Sequence, residues 1–206
     1  MKVSRKQLTG GKRMLESRQI KDAAILLEAL SKNKDLEKSI QSAIDYIYKS
    51  IFDGHRIWFA GNGGSAAEAQ HLAAELSGKF MIERRALPAE ALHVNGSYLT
   101  AVGNDYGFQH VYERIIKGIA KQGDVLVVLT TSGISKNIIL AAKAAHKNKV
   151  DVIAFTGSNF TELQKYAEII ISIPSNSTPH IQETHLVIGH IICGGVESRL
   201  FFDDDL

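Results

Sequence analysis

From Arg56 onward, short continuous apolar runs alternate with stretches of helical periodicity, and few folds accept that pattern. The runs lie at 57–60, 89–94, 125–130, 152–156 and 169–173, and the helical stretches between them at 66–80, 111–120, 138–147 and 161–166. A strand with one wet face alternates apolar with polar residues, whereas these runs do not alternate, so they are strands buried on both faces. Strand–helix alternation then gives a parallel sheet covered by helices, an α/β fold. After the last run, 181–202 reads as a long final helix, loosened at Gly194-Gly195 by low glycine propensity. Asp203-Asp204-Asp205 reads as a solvated acidic tail.

Residues 12–52 read as helix with two apolar faces, one from Ala23, Ile25, Leu26, Leu27 and Leu30 and one from Leu36, Ile40, Ala43, Ile44 and Ile47. The segment 31–35 is a break between them, and Thr9-Gly10-Gly11 a loose end. The expected organisation is an N-terminal helical arm over 1–52 joined to one integrated domain over 53–206. A net charge of +2 argues against nucleic acid as a partner. With no apolar run of about 18 residues there is no expected membrane span. The basic start, Met1 to Lys6, has no apolar segment behind it and is not a secretory signal, so the cytoplasm is the expected compartment. The single cysteine, Cys193, excludes an internal disulfide and a cysteine-cluster metal site, and reads as a small buried hydrophobe.

In a parallel sheet of this kind, ligands bind beyond the carboxyl ends of the strands. The first run ends in Gly61-Asn62-Gly63-Gly64-Ser65 and opens a helix. The glycines admit a ligand close to backbone, Ser65 can cap the helix, and the free N–H groups suit a phosphate. The third run ends in Thr130-Thr131-Ser132-Gly133-Ile134-Ser135, again opening a helix. One such turn is ordinary capping chemistry. Two at the same edge suggest a polyhydroxylated, phosphorylated ligand. His71 and Glu75, four apart, share a helix face, and Gln182 and His190, eight apart, lie roughly on one side of the last helix. By spacing alone these are as compatible with a surface hydrogen bond, and with satisfied core or interface histidines at His185 and His190, as with catalysis. Asn104-Asp105-Tyr106-Gly107 reads as a polar turn.

Taken together, in order, several stretches resemble the phosphoheptose isomerases, which have the SIS fold. They are Gly61–Ser65, His71 to Glu75, Val102 to Phe108, Thr131-Ser132-Gly133, and Ile181-Gln182-Glu183 with His185, Gly189 and His190. The resemblance implies a five-stranded parallel sheet between helices, assembled as a homotetramer with active sites between subunits. It implies conversion of sedoheptulose 7-phosphate to D-glycero-D-manno-heptose 7-phosphate, the first step toward bacterial heptose for lipopolysaccharide core or capsule. By the same resemblance Ser65, Thr130, Ser132 and Ser135 hold phosphate, Asn62, Gly63, Gly64, Asn104 and Asp105 surround the sugar, and Thr131 is a further substrate-binding residue. Glu75 is the base and His190 its acid–base partner, while His71, Glu75, Gln182 and His190 hold one zinc per subunit; Gln182 also faces substrate.

The sequence departs from the family pattern at Ile134, where Asn is frequent, and at Pro179, where some members carry Asp. Rival readings are a SIS isomerase of another sugar phosphate, a sugar-phosphate-sensing module, and a non-catalytic SIS tetramer that binds the bacterial replication initiator. The last tends to lack the residues matching Glu75 and His190, both of which are present here.

Overall fold

A computed structural model describes residues 5–202, with side chains from Ser17 on. The expected acidic tail at 203–205 and the first residues of the basic start lie outside the described residues. The chain forms two compact units, one ending at Leu36 and the other beginning at Glu37.

The first unit is built on α1 (Arg5–Ser31). This helix runs through Thr9-Gly10-Gly11, where a loose end was expected. Glycine costs a helix about 1 kcal/mol relative to alanine but does not forbid it. The expected break falls at Lys32-Asn33, where the Asn33 side chain accepts from the N–H groups of Asp35 and Leu36 at 3.0 and 3.1 Å and so caps α2 (Lys34–Phe52).

In the second unit, five strands form one parallel sheet in the order β2-β1-β3-β4-β5. They are β1 (Ile57–Gly61), β2 (Ala89–Ala91), β3 (Val125–Thr130), β4 (Asp151–Thr156) and β5 (Ile169–Ser172). Every residue of β1 and β3 is buried, as their unbroken apolar runs require. On one face Trp58, Ala60, Leu126, Val128, Val152 and Ala154 join Tyr112 and Ile116 of α5 (Val111–Ile119) and Ile138, Ala141 and Ala145 of α6 (Lys136–Lys147). On the other face Phe59, Val127 and Phe155 meet Leu72 and Leu76 of α3 (Gly64–Ser77), Ile192, Cys193 and Val196 of the long final helix, and Ile47 of α2. The segment of α2 from Glu37 therefore belongs with the sheet, and the boundary between compact units lies earlier than the 52/53 division read from the sequence. Its buried stripe of Ala43, Ile44, Ile47 and Ile51 explains why.

Several elements differ in extent from the sequence reading. β2 stops at Ala91 rather than 94, because Leu92 makes the last bond to β1 and Asn95 caps α4 (Gly96–Tyr106), accepting from Tyr98 N–H at 3.0 Å. α4 itself was not foreseen, and it turns Asn104-Asp105-Tyr106 from a loop into the last turn of a helix. The stretch 161–166 holds only a 3-10 turn at Leu163–Lys165. The final helix, α7 (Thr178–Phe201), begins early enough to place Pro179 in its first turn, where a missing N–H costs nothing. It also continues unbroken through Gly194-Gly195. Gly195 serves packing there, since a Cβ on it would collide with the Ile44 side chain of α2. No helix among the described residues is long and apolar enough to cross a membrane.

Candidate active site

The connection leaving β1 runs to β2 on one side, while β3 leads to β4 on the other. At such a point the strand order reverses and a crevice opens at the carboxyl ends. The two hydroxyl-rich turns meet there. Asn62, Gly64 and Ser65 from the first, and Thr130, Thr131, Ser132 and Ser135 from the second, line one cavity of about 290 Å³ together with Thr178 and Gln182 of α7.

The turns are tied to each other by a pair of amides. Asn62 Nδ2 donates to Asn137 Oδ1 at 2.9 Å, and Asn137 Nδ2 donates back to Asn62 Oδ1 at 2.7 Å. Asn137 also accepts from the Ile138 N–H at 3.0 Å and is buried. The Asn62 side chain is thus a brace between the turns. Within the second turn, Thr130 Oγ1 accepts from Gly133 N–H at 3.3 Å and Ser132 Oγ from Ile134 N–H at 3.4 Å. Both hydroxyls keep their protons for a ligand oxygen. Ile134 itself is exposed beside the cavity.

The cap of α3 is Gly63, at φ 55°, and not Ser65 as the sequence suggested. Ser65 falls one residue inside the helix, so its hydroxyl is released from capping and faces the cavity. Gln182 Nε2 donates to Ser65 Oγ at 3.4 Å, an approach possible only because Gly64 lacks the Cβ that would strike the Gln182 amide. Ser135 likewise caps α6 through backbone alone, its side chain making no cap bond.

Glu68 belongs to this neighbourhood and was not singled out in the sequence. It is 91% buried on α3, its Oε2 has no hydrogen-bond partner among the described residues, and burial pushes its carboxyl up to about 7 against the pull of the Ser65 hydroxyl. The signal was present as the spacing Ser65-x-x-Glu68, which places the two on one helix face.

Further along α3 and α7 lies a second group. His71 Nε2 and His190 Nε2 are 2.8 Å apart, and His71 Nε2 is 3.3 Å from Glu75 Oε1. One ligand atom from each of the three falls within 4.8 Å of the others. The Phe80 ring stacks on His190, 5.6 Å between centroids at 24°. Two imidazole nitrogens and a carboxylate oxygen so close together are donors that zinc accepts, so the residues fit the metal that the family resemblance implies. Gln182, the fourth expected ligand, is bonded to Ser65, two turns and about 12 Å of helix rise from His190.

Asn104 and Asp105 lie at the exposed end of α4, where Asn104 Nδ2 donates to Asp105 Oδ1 at 2.8 Å. They are not among the residues lining the cavity. His185 is fully buried against Phe155, with Nε2 at 3.1 Å from the Thr156 carbonyl oxygen, and burial pushes its pKa down to about 4. Cys193 is buried and unpaired, and burial pushes its thiol up to about 12, as an inert core residue requires.

Comparison with known proteins agrees with this geometry. Residues 20–157 match the family model described as SIS domain. The chain is similar to the phosphoheptose isomerase of Clostridium acetobutylicum, 42% identical over 183 residues that cover 89% of this chain and 93% of that one. It is similar to that of Rhodospirillum rubrum at 46% identity, covering 81% and 88% respectively. Among solved structures, the phosphoheptose isomerase of Neisseria gonorrhoeae superposes with a TM-score of 0.84 at 34% identity, covering 90% of this chain and 98% of that one.

Proposed function

Because the chain belongs to the SIS domain family and, within it, to the phosphoheptose isomerases, we propose that this isomerase converts sedoheptulose 7-phosphate to D-glycero-D-manno-heptose 7-phosphate in the cytoplasm, supplying heptose for a bacterial surface glycan. The observation that carries the reading is the arrangement of two groups along the same pair of helices. A hydroxyl-lined cavity suited to an anion lies at the start of α3, and a His–Glu–His cluster lies about two turns further on. An extended sugar phosphate held by its phosphate in the first places its far end at the second.

The chemistry follows from the groups. Ser65, Thr130, Thr131, Ser132 and Ser135 bind phosphate oxygens as donors, with the backbone of Gly63 and Gly64 beside them and the α3 N-terminus favouring negative charge. Glu75 takes the proton from one carbon of the carbonyl–carbinol pair and returns it to the neighbouring carbon through an enediol. His190 moves the proton between the two oxygens. His71, Glu75 and His190 would hold a zinc ion, which would supply polarisation of the carbonyl oxygen, and Gln182 would have to leave Ser65 to join them. A homotetramer with sites between subunits would let Asn104 and Asp105, which do not line this cavity, serve the sugar from a neighbouring copy. Val187 and Ile191, four apart and both exposed on α7, give that assembly an apolar stripe to bury.

The test is Glu75→Gln, which keeps shape and removes basicity. Turnover falls by roughly 10²- to 10⁴-fold, while calorimetry still detects sedoheptulose 7-phosphate binding. In deuterated water the native protein places deuterium on product carbon and the variant does not. Turnover within a few-fold of native removes Glu75 as the base.

A further inference from the structure

Behind the His–Glu–His cluster lies a buried ion pair with no assigned purpose. Arg84 and Glu197 meet at 2.7 Å, from Nε to Oε1, with side chains only 1% and 2% exposed. The rest of the guanidinium is spent on backbone. Nη2 donates to the carbonyl of Glu75 at 2.8 Å, and Nη1 to those of Leu76, Gly78 and Arg85 at 2.9, 3.0 and 3.0 Å. The last turn of a helix leaves carbonyls without partners. Here one arginine collects them, and the first is that of Glu75 itself. Glu197 in turn accepts from the N–H groups of Phe80 at 3.3 Å and Met81 at 2.8 Å.

Those two bonds fix the residue that stacks on His190. Glu197 lies seven residues after His190, two turns along one face of α7. Between them Gly194 faces the Phe80 ring, which a Cβ there would meet at an ordinary contact distance of 3.4 Å. A buried ion pair is poor at raising stability, because desolvation consumes most of its attraction. Its use here is geometric, and the planar fork of arginine is what lets one side chain hold four carbonyls and a carboxylate.

We propose that Arg84 and Glu197 are positioning residues for the acid–base centre: they fix the end of α3 carrying Glu75 against the face of α7 carrying His190, and seat Phe80 on the imidazole. The inference rests on the reading of Glu75 and His190 as the acid–base pair.

The test is steady-state kinetics of Glu197→Gln, Phe80→Leu and the double variant with sedoheptulose 7-phosphate, each checked for native circular dichroism. Misplacement by about 1 Å costs up to about 100-fold in rate. The expected result for Glu197→Gln is a fall in kcat of roughly 10- to 100-fold, with KM within about threefold of native because the phosphate-binding turns are untouched. Phe80→Leu lowers kcat in the same sense, and adding Glu197→Gln to it lowers kcat by less than Glu197→Gln does alone. A folded Glu197→Gln protein with native kcat, or one whose loss lies in KM, overturns the inference, as do fully independent effects in the double variant. Should Glu197→Gln not fold, Phe80→Leu decides, since native kcat in that variant overturns the inference. Native protein that turns over nothing removes the acid–base reading and the inference together, whereas normal native turnover with undisturbed variants removes the inference alone.

Discussion

Two buried groups pull the pH dependence of stability in opposite directions. His185 is held neutral, with a folded pKa of about 4 against an ordinary 6.5. Between these values the unfolded chain binds the extra proton, so stability falls as pH drops from 6.5 toward 4. Glu68 is the reverse case, a carboxyl raised to about 7 from 4.5. Between those values the folded protein binds the extra proton, so stability rises as pH drops from 7 toward 4.5. The two slopes nearly cancel from pH 6.5 to 4.5, and Glu68→Gln uncovers the histidine. Going from pH 7 to pH 5, that variant loses about 2 kcal/mol more than the native protein, read from denaturant midpoints. Equal pH profiles for the two contradict this account of Glu68. If the His–Glu–His cluster holds the proposed zinc, chelation is expected to lower turnover and added zinc to restore it; metal analysis finding no zinc, with turnover unmoved by chelator, leaves His71 and Gln182 as orienting groups only. Of these residues, the ones in loops at strand ends were legible from sequence, because glycine and hydroxyl side chains announce a turn. Glu68 and Asn137 were not, since their roles come from partners that burial supplies: Ser65 beside one, and Asn62, 75 residues away in sequence, across from the other.

The strands were the most legible elements. All five runs appear as strands, β1 and β3 buried throughout, while β2, with exposed Glu90 at its centre and only β1 beside it, is shortened. Helix ends were less legible. α4 was hidden because its sequence, Gly96 to Tyr106, carries glycine, serine, threonine and asparagine, and it is held by the Asn95 cap and by burial of Val102 more than by propensity. Gly194-Gly195 suggested weakness in α7, yet tertiary packing overrides propensity there. Gly195→Ala therefore destabilises the protein although alanine is the better helix former. Driving a Cβ into Ile44 costs about 1–3 kcal/mol by overpacking, measured as a lowered melting midpoint. An unchanged or raised midpoint would show that α2 yields freely at this contact.

Assembly is the property that a single chain shows least. The exposed Val187–Ile191 stripe on α7 is the surface that the proposed tetramer would bury. Light scattering is expected to give four times the chain mass, by closed symmetric association; a stable monomer at micromolar concentration contradicts a shared site. Family membership was legible from the ordered set of short motifs, and no single one of them sufficed, because each is also an ordinary turn or helix-face pair. The substrate is the central claim. It is tested most directly by offering the purified protein sedoheptulose 7-phosphate, ribulose 5-phosphate and fructose 6-phosphate in parallel and following aldose formation. The account predicts turnover of sedoheptulose 7-phosphate well above the other two; preference for either shorter sugar, or no turnover of any, contradicts it.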